Sequence, residues 1–339
     1  MRLDRSVKGE STVPRPSTVP PPVTSVLEEA GRWLPAGMAA VERRLGELTA
    51  GHGATLAGDA GATLAAGGKR LRPLLVLLCA GPAGGDRAVR AATAVELVHM
   101  ASLVHDDVLD GAPLRRGRPT VAARSGRERA VATGDLLFSR AFAELGEDGG
   151  ERQVELLSSA SVALALGELA QRRDAYDTGI TSERYLERCA LKTARLFECA
   201  CLLGRATEST PRAPELAAFG REIGTAFQLL DDVLDVTGPP ERTGKARGTD
   251  LLDGTVTLPL IIARETDPGL GEIDLRDLDP RGAEAICDRI RATDAPARVR
   301  QLARDRVDAA KRTLGEAPLS GEERDLLGLV ADGVVDRYS

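Results

Sequence analysis

The chain has 339 residues, of which 42% are apolar and only 3% aromatic, and its formal net charge is -6. That length fits one large domain or two of ordinary size. A core so poor in aromatic rings has to be built of Leu, Val and Ala, which suits helix packed on helix, and no alternating run is long enough to predict a sheet. The acidic balance excludes a general nucleic-acid binder, which needs a basic face, and no stretch approaches the roughly 20 apolar residues of a transmembrane segment.

In chain order, residues 1–24 are rich in Pro, Ser and Thr and lack the apolar region of a signal peptide, so they read as a disordered leader. Helical periodicity begins near Ser25 and continues to the C-terminus. Turn signals interrupt it at 81–85, 146–150, 207–214 and 238–240, and a loop is predicted at about 267–280. None is long enough for an interdomain linker, so residues 25–339 read as one domain. Cys79, Cys189, Cys199, Cys201 and Cys287 are odd in number and lack CxxC spacing. This predicts buried, reduced thiols and a cytoplasmic protein.

The segment LVHDDVLDGAPLRRG (103–117) places Asp106, Asp107 and Asp110 within one and a half turns of a predicted helix. Residues four apart share a face, so Asp106 and Asp110 repel by roughly 0.2–0.5 kcal/mol in water. Alone, such a cluster is a solvated helix end. However, FQLLDDVLDVTG (227–238) repeats the spacing with Asp231, Asp232 and Asp235, again after an apolar run. If the two helices face each other, the carboxylates converge from opposite walls of one cavity.

Carboxylates are hard oxygen ligands of the kind Mg2+ prefers, and Mg2+ completes its octahedron with water and phosphate oxygens. The chemistry served is departure of a diphosphate, whose developing charge the metal neutralises. Cations for the remaining phosphate oxygens are at hand. GGKRLRP (67–73) is a glycine-led basic cluster at a predicted helix start, Arg115 and Arg116 follow the first acidic motif, and Lys192 and Lys245 lie further on.

Together with VELVHMASLVHDDVLD (95–110), LRRGRPT (114–120), GDLLF (134–138), KTARLF (192–197), GTAFQLLDDVLD (224–235), GKARGTDL (244–251) and TLP (257–259), these motifs resemble those of the trans-isoprenyl diphosphate synthases, or polyprenyl synthetases, most of all the long-chain members. The resemblance implies an all-α, isoprenoid-synthase-like helical bundle around a deep central cavity, usually a homodimer. It implies Mg2+ as cofactor, with isopentenyl diphosphate and an allylic diphosphate as partners in a head-to-tail condensation.

Carried over onto matching positions, Asp106, Asp110 and Asp231 are expected as the principal Mg2+ ligands, supported by Asp107, Asp232 and Asp235. Gly68, Lys69, Arg72, His99 and Arg116 are expected at the isopentenyl diphosphate. Arg115, Lys192 and Lys245 are expected at the allylic diphosphate, with the oxygens of Thr193 and Gln228 facing the developing cation. His99 by itself is a satisfied core histidine; its place seven residues before Asp106, on nearly the same helical face, favours the site. Two positions depart from the family pattern: Thr255 stands where many members carry lysine, and Glu168 where glutamine often follows the glycine.

Product length is read along the helix preceding Asp106, where each turn of about 5.4 Å admits about one isoprene unit. Short-chain members resemble one another in placing an aromatic ring four or five residues before the first aspartate. This chain has Ala101 and Ser102 there, with Val98 below, and no Phe, Tyr or Trp between Trp33 and Phe138. A heptaprenyl to nonaprenyl product, as in a menaquinone side chain, is expected. The alternative is a geranylgeranyl product if Phe138, Phe142 or a Leu from another helix closes the channel. Two other classes compete: a class I terpene cyclase, which needs no second diphosphate site, and a non-catalytic subunit of a heteromeric synthase, which is expected to lose metal ligands.

Overall fold

The structure, a computed structural model, describes residues 26–51, 53–147, 150–206, 213–238 and 247–336. The expected leader and Lys245 lie outside the described residues. The described residues are helical nearly throughout, as composition implied: α1 (Trp33–Ala50), α2 (Gly53–Ala65), α3 (Leu71–Ala80) and α4 (Gly85–Leu109) come first, and the short α5 (Val121–Ser125) leads into α6 (Arg127–Gly146) and α7 (Glu151–Arg173). α8 (Ser182–Cys189) runs through a π-helical turn (Ala190–Ala194) into α9 (Arg195–Arg205), followed by α10 (Pro214–Thr237). α11 (Thr249–Leu252), α12 (Leu258–Thr266), α13 (Pro280–Arg291), α14 (Ala295–Glu316) and α15 (Gly321–Asp336) complete it.

Burial explains the arrangement. α3 is buried at every position from Pro73 to Ala80, so it lies inside the bundle, flanked by α1, α4, α9 and α15. A helix apolar on every side from Pro73 onward has nowhere else to go. α14, by contrast, buries Val299, Ala303, Val307, Ala310 and Leu314, a single stripe at spacings of three and four, and lays it along α10. α4 packs along α6 in the same way. One contiguous apolar core runs from Val26 to Val334 and is made mostly of Leu, Val, Ala and Ile, with Tyr185, Phe197 and Phe219 as its fully buried rings.

Two local features escaped the periodicity argument. LRRGRP folds into a two-stranded hairpin, β1 (Leu114–Arg115) against β2 (Arg118–Pro119), with Leu114 opposite Pro119. Its two turn residues, Arg116 and Gly117, have φ of 53° and 72°, the type I′ geometry that matches strand twist. The second feature is the π turn, which belongs to the site.

Candidate active site

The first acidic motif ends α4, with Asp110 as its C-terminal cap. Asp107 is buried and accepts a hydrogen bond from Arg115 Nε at 2.7 Å, across the hairpin. Asp110 accepts from Arg172 Nη2, which arrives from the last turn of α7. Arg172 also donates from Nε to Glu168 Oε1 (2.7 Å), and the other oxygen of Glu168 pairs with Lys192 Nζ at 2.5 Å. Asp106 lies within this field. Burial pushes its carboxyl up to about 6, Lys192 and Arg115 pull it down, and Glu168 and Asp110 add to the push.

Lys192 and Thr193 sit in the π turn. The extra residue of a π turn widens the backbone, and two neighbouring helices make room for it with glycines. A Cβ on Gly167 of α7 would lie 2.5 Å from the Lys192 amide nitrogen, and one on Gly224 of α10 would lie 2.7 Å from Ala194 Cα. Small residues on both flanks therefore let the turn enter between α7 and α10 and bring Lys192 and Thr193 to the acidic ends of their neighbours.

The second motif, on α10, is built differently. Thr193 Oγ1 donates to Gln228 Oε1 (2.8 Å), Gln228 Nε2 donates to Asp232 Oδ1 (2.7 Å), and Tyr185 O–H donates to Asp232 Oδ2 (2.5 Å). Asp232 is buried, and both of its oxygens are engaged by neutral donors. Burial, and next the charge of Asp250, push its carboxyl up to about 8, against the hydrogen bonds from Tyr185 and Gln228. Asp235 Oδ2 accepts the Asp250 amide at 3.2 Å, and Asp231 lies within the electrostatic reach of Arg116.

The basic cluster opens α3 as expected, but its arginines divide. Arg70 is buried between Glu42 (2.5 Å) and Glu96 (2.6 Å) and is a structural tie. Arg72 faces the other way: its guanidinium lies 4.5 Å over the Phe197 ring, and its Nε is buried without a hydrogen-bond partner. Lys69 Nζ lies 5.8 Å over Phe227. Arg116 Nη1 donates to the Gly67 carbonyl, and a side chain on Gly68 would crowd the guanidiniums of Arg70 and Arg116 at 3.2 and 3.3 Å. His99 is held well below the usual histidine range, by burial and then by Arg72, Arg116, Arg115 and Arg70. With Arg70 tied to Glu42 and Glu96 and Arg115 to Asp107, the neutral imidazole lies in the field of the Arg72 and Arg116 guanidiniums, an arrangement chemically suited to an anion.

Val98, Ala101 and Ser102 are all buried on α4, one to two turns below Asp106, and Ser102 Oγ donates to the His99 carbonyl at 2.9 Å. Phe138 of α6 stacks on His105 at 5.8 Å, beside the residue preceding Asp106. Thr255 lies before α12, its amide donating to the Asp250 carbonyl at 2.7 Å.

Among the described residues no three His, Cys, Asp or Glu side chains form a cage for an ion. The carboxylates stand on two separate helices instead. This donor set fits Mg2+, which takes one or two carboxylates and fills its other positions with water and phosphate oxygens.

A family model described as polyprenyl synthetase matches residues 55–276. The chain belongs to the polyprenyl synthetase family. Component 2 of the heptaprenyl diphosphate synthase of Geobacillus stearothermophilus is 39% identical over 301 residues, 87% of this chain and 94% of that one. Among solved structures, a Caulobacter crescentus polyprenyl synthase complexed with calcium and isoprenyl diphosphate superposes with a TM-score of 0.85 at 34% identity, covering 92% of this chain and 98% of its own. A decaprenyl diphosphate synthase from Rhodobacter capsulatus gives 0.83 at 32%, covering 92% and 99%. This synthetase is therefore an all-α prenyl-transferring enzyme.

Sequence reasoning missed three contributors to the synthetase's site. Tyr185 and Arg172 escaped it because the aspartates they meet are 47 and 62 residues away. Glu168 was read as a departure, yet its charge is matched by Lys192 and Arg172, which together hold its carboxyl below the usual range against burial. Asp232 stood beside Asp231 as a supporting metal ligand; in the structure its two oxygens are occupied by Tyr185 and Gln228.

Proposed function

We propose that the enzyme condenses isopentenyl diphosphate with an allylic diphosphate, head to tail and with Mg2+, to give a long-chain polyprenyl diphosphate. The observation that carries this reading is a line of side chains joining the two acidic motifs. It runs from Asp110 through Arg172 and Glu168 to Lys192, and from the adjacent Thr193 through Gln228 to Asp232. A cyclase would need neither the second aspartate cluster nor the pocket of His99, Arg72 and Arg116.

In this reading Asp106, Asp110, Asp231 and Asp235 would hold Mg2+, which when bound would supply positive charge to the leaving diphosphate. Lys192 and Arg115 grip the allylic diphosphate while Lys69, Arg72, Arg116 and neutral His99 hold isopentenyl diphosphate. The allylic C–O bond breaks with its electron pair leaving on the diphosphate. Oxygens of Thr193 and Gln228 face the cation as fixed dipoles. The double bond of isopentenyl diphosphate then attacks, and a proton passes to the departed diphosphate.

Small residues at Val98, Ala101 and Ser102 leave the channel below Asp106 without an aromatic stop, and the heptaprenyl and decaprenyl names of the relatives support a long product. Five buried, unpaired cysteines support a reducing, cytoplasmic location. The continuous core supports a single catalytic domain. Val162, Leu166 and Leu169 form an exposed apolar stripe on one face of α7, 58%, 51% and 61% accessible, which suits the interface of a homodimer. Among the described residues no helix is long and apolar enough to cross a membrane.

The test is product analysis after incubating the purified chain with Mg2+, isopentenyl diphosphate and farnesyl diphosphate. Products longer than geranylgeranyl are expected. A stop at geranylgeranyl overturns the long-chain reading. No product without a second, separately purified chain would favour the heteromeric reading, which the words "component 2" in the name of the Geobacillus relative bring forward.

A further inference from the structure

We propose that Tyr185 is a positioning residue for the ionisation step: acting through Asp232 and Gln228, it sets the direction of the Thr193 hydroxyl. The proposal rests on the reading above, in which Thr193 faces the allylic cation.

The argument is one of hydrogen-bond polarity. A threonine hydroxyl has one proton and two lone pairs; a glutamine amide donates from one end and accepts at the other. Gln228 can be placed either way round in its pocket, and the choice decides what Thr193 presents to the cavity. With Nε2 toward Asp232 Oδ1, as observed, Oε1 must face Thr193 and take its proton (2.7 and 2.8 Å). The lone pairs of Thr193 are then left for the cation. With the amide reversed, Thr193 would accept from Nε2 and turn its proton outward, which opposes positive charge.

Asp232 makes the choice, and Tyr185 holds Asp232. The tyrosine ring is buried and its O–H engages Oδ2 at 2.5 Å. This contact reserves Oδ1 for Gln228. It does so with Asp232 ionised and Tyr185 donating to Oδ2, and with Asp232 neutral when its proton sits on Oδ2 toward the phenol oxygen; in both arrangements Oδ1 is an acceptor. The ring is held by the Arg188 guanidinium, 5.5 Å from its centroid, which itself donates to the Val256 carbonyl at 2.6 Å, on a helix whose start Thr181 caps by accepting from the Arg184 amide at 3.2 Å. The hydrogen bond from Tyr185 to the second acidic motif goes to Asp232.

The test is a double-mutant cycle of Tyr185→Phe and Thr193→Val, with steady-state kinetics and thermal unfolding of the full chain. Tyr185→Phe is expected to lower kcat about tenfold while leaving KM for both substrates within about twofold, because the hydroxyl's direction matters only once charge develops. In the Thr193→Val background the tyrosine change is expected to cost less than twofold, since a relay without its end has nothing to orient. A full tenfold loss in that background, or an equal rise in KM with kcat unchanged, would overturn the proposal. If Thr193→Val alone is fully active, the reading of Thr193 fails instead, and the two failures are distinct. Should Tyr185→Phe unfold the protein, Asp232→Asn interrupts the same relay. The same non-additivity with Thr193→Val is expected there, with Mg2+ half-saturation within twofold of wild type, and additive losses would overturn the proposal.

Discussion

The pentapeptide DDVLD occurs twice, and the two copies are held by opposite means. On α4, Asp107 and Asp110 are met by guanidiniums, Arg115 and Arg172. On α10, Asp232 is met by a phenol and an amide, and Asp235 by a backbone amide. Charged partners neutralise the first cluster and compete with any cation that binds it. The neutral partners of Asp232 fix its geometry without supplying a counter-charge, and burial pushes its carboxyl up. Identical local sequence thus yields a cation-balanced cluster and a rigid scaffold, because the partners come from other helices.

The largest expected effect asks whether positions within each copy are equivalent. Asp106→Ala and Asp231→Ala are each expected to lower turnover roughly 10³-fold, the scale of losing a group that stabilises developing charge, with helical circular dichroism unchanged. Asp107→Asn, which gives up only the bond to Arg115, is expected to cost about tenfold or less, the scale of one charge-assisted hydrogen bond. Near-normal activity in Asp106→Ala or Asp231→Ala would remove that residue from the metal reading. Equal losses at all three positions would erase the distinction between ligand and tie.

A second effect concerns the helix on which the first copy stands. Ala101 is fully buried, so Ala101→Phe places a ring one turn below Asp106 at an overpacking cost of roughly 1–3 kcal/mol. Mass spectrometry of the products is expected to show shorter chains with condensation retained. An unchanged product distribution would show that the growing chain does not pass residue 101.

The sequence made the two acidic motifs, the basic cluster opening α3, and the helical class legible, because each rests on local spacing. The place of Val98, Ala101 and Ser102 on the helix before Asp106 follows from the same spacing, and all three are buried there. What escaped it was tertiary. The π turn depends on Gly167 and Gly224, two glycines from different helices meeting one backbone. The role of Asp232 depends on Tyr185, and the charge of Glu168 makes sense only beside Lys192 and Arg172. Arg70 and Arg72, two residues apart in one motif, divide between a structural tie and the anion pocket because the left-handed backbone at Arg70 (φ 49°) turns the chain between them.

The competition implied at the first copy is testable through Arg172. Its ion pair with Asp110 is partly exposed, a class worth about 0.2–1 kcal/mol, so releasing Asp110 from it should tighten cation binding by about 1.4- to fivefold. Calorimetric titration of Mg2+ into Arg172→Gln without substrates is expected to show that gain. Weaker binding would mean that Arg172 supports the metal site by placing Asp110 and Glu168, and the contrast between the two copies would lose one of its two terms.

The smallest effect follows from Asp106 itself, whose carboxyl is pushed by burial from 3.8 to about 6 in the folded chain. A raised carboxyl contributes stability in its neutral form, fully below 3.8, and that contribution is lost as pH rises through about 6. Above this window the metal-free protein therefore carries a buried charge at a cost of at most about 3 kcal/mol for a shift of about two units. The side chain keeps some contact with solvent, which discounts the figure to about 1–2 kcal/mol. Asp106→Asn is thus expected to raise the unfolding temperature at pH 7.5 in EDTA by a few degrees and to give no gain at pH 4. Mg2+ should reverse the order at pH 7.5 by stabilising the wild type more than the variant, since only the ionised carboxylate gains a ligand. A variant less stable than wild type at pH 7.5 in EDTA would show that Lys192 and Arg115 already repay the desolvation of Asp106, and the first copy would then be as self-sufficient as the second.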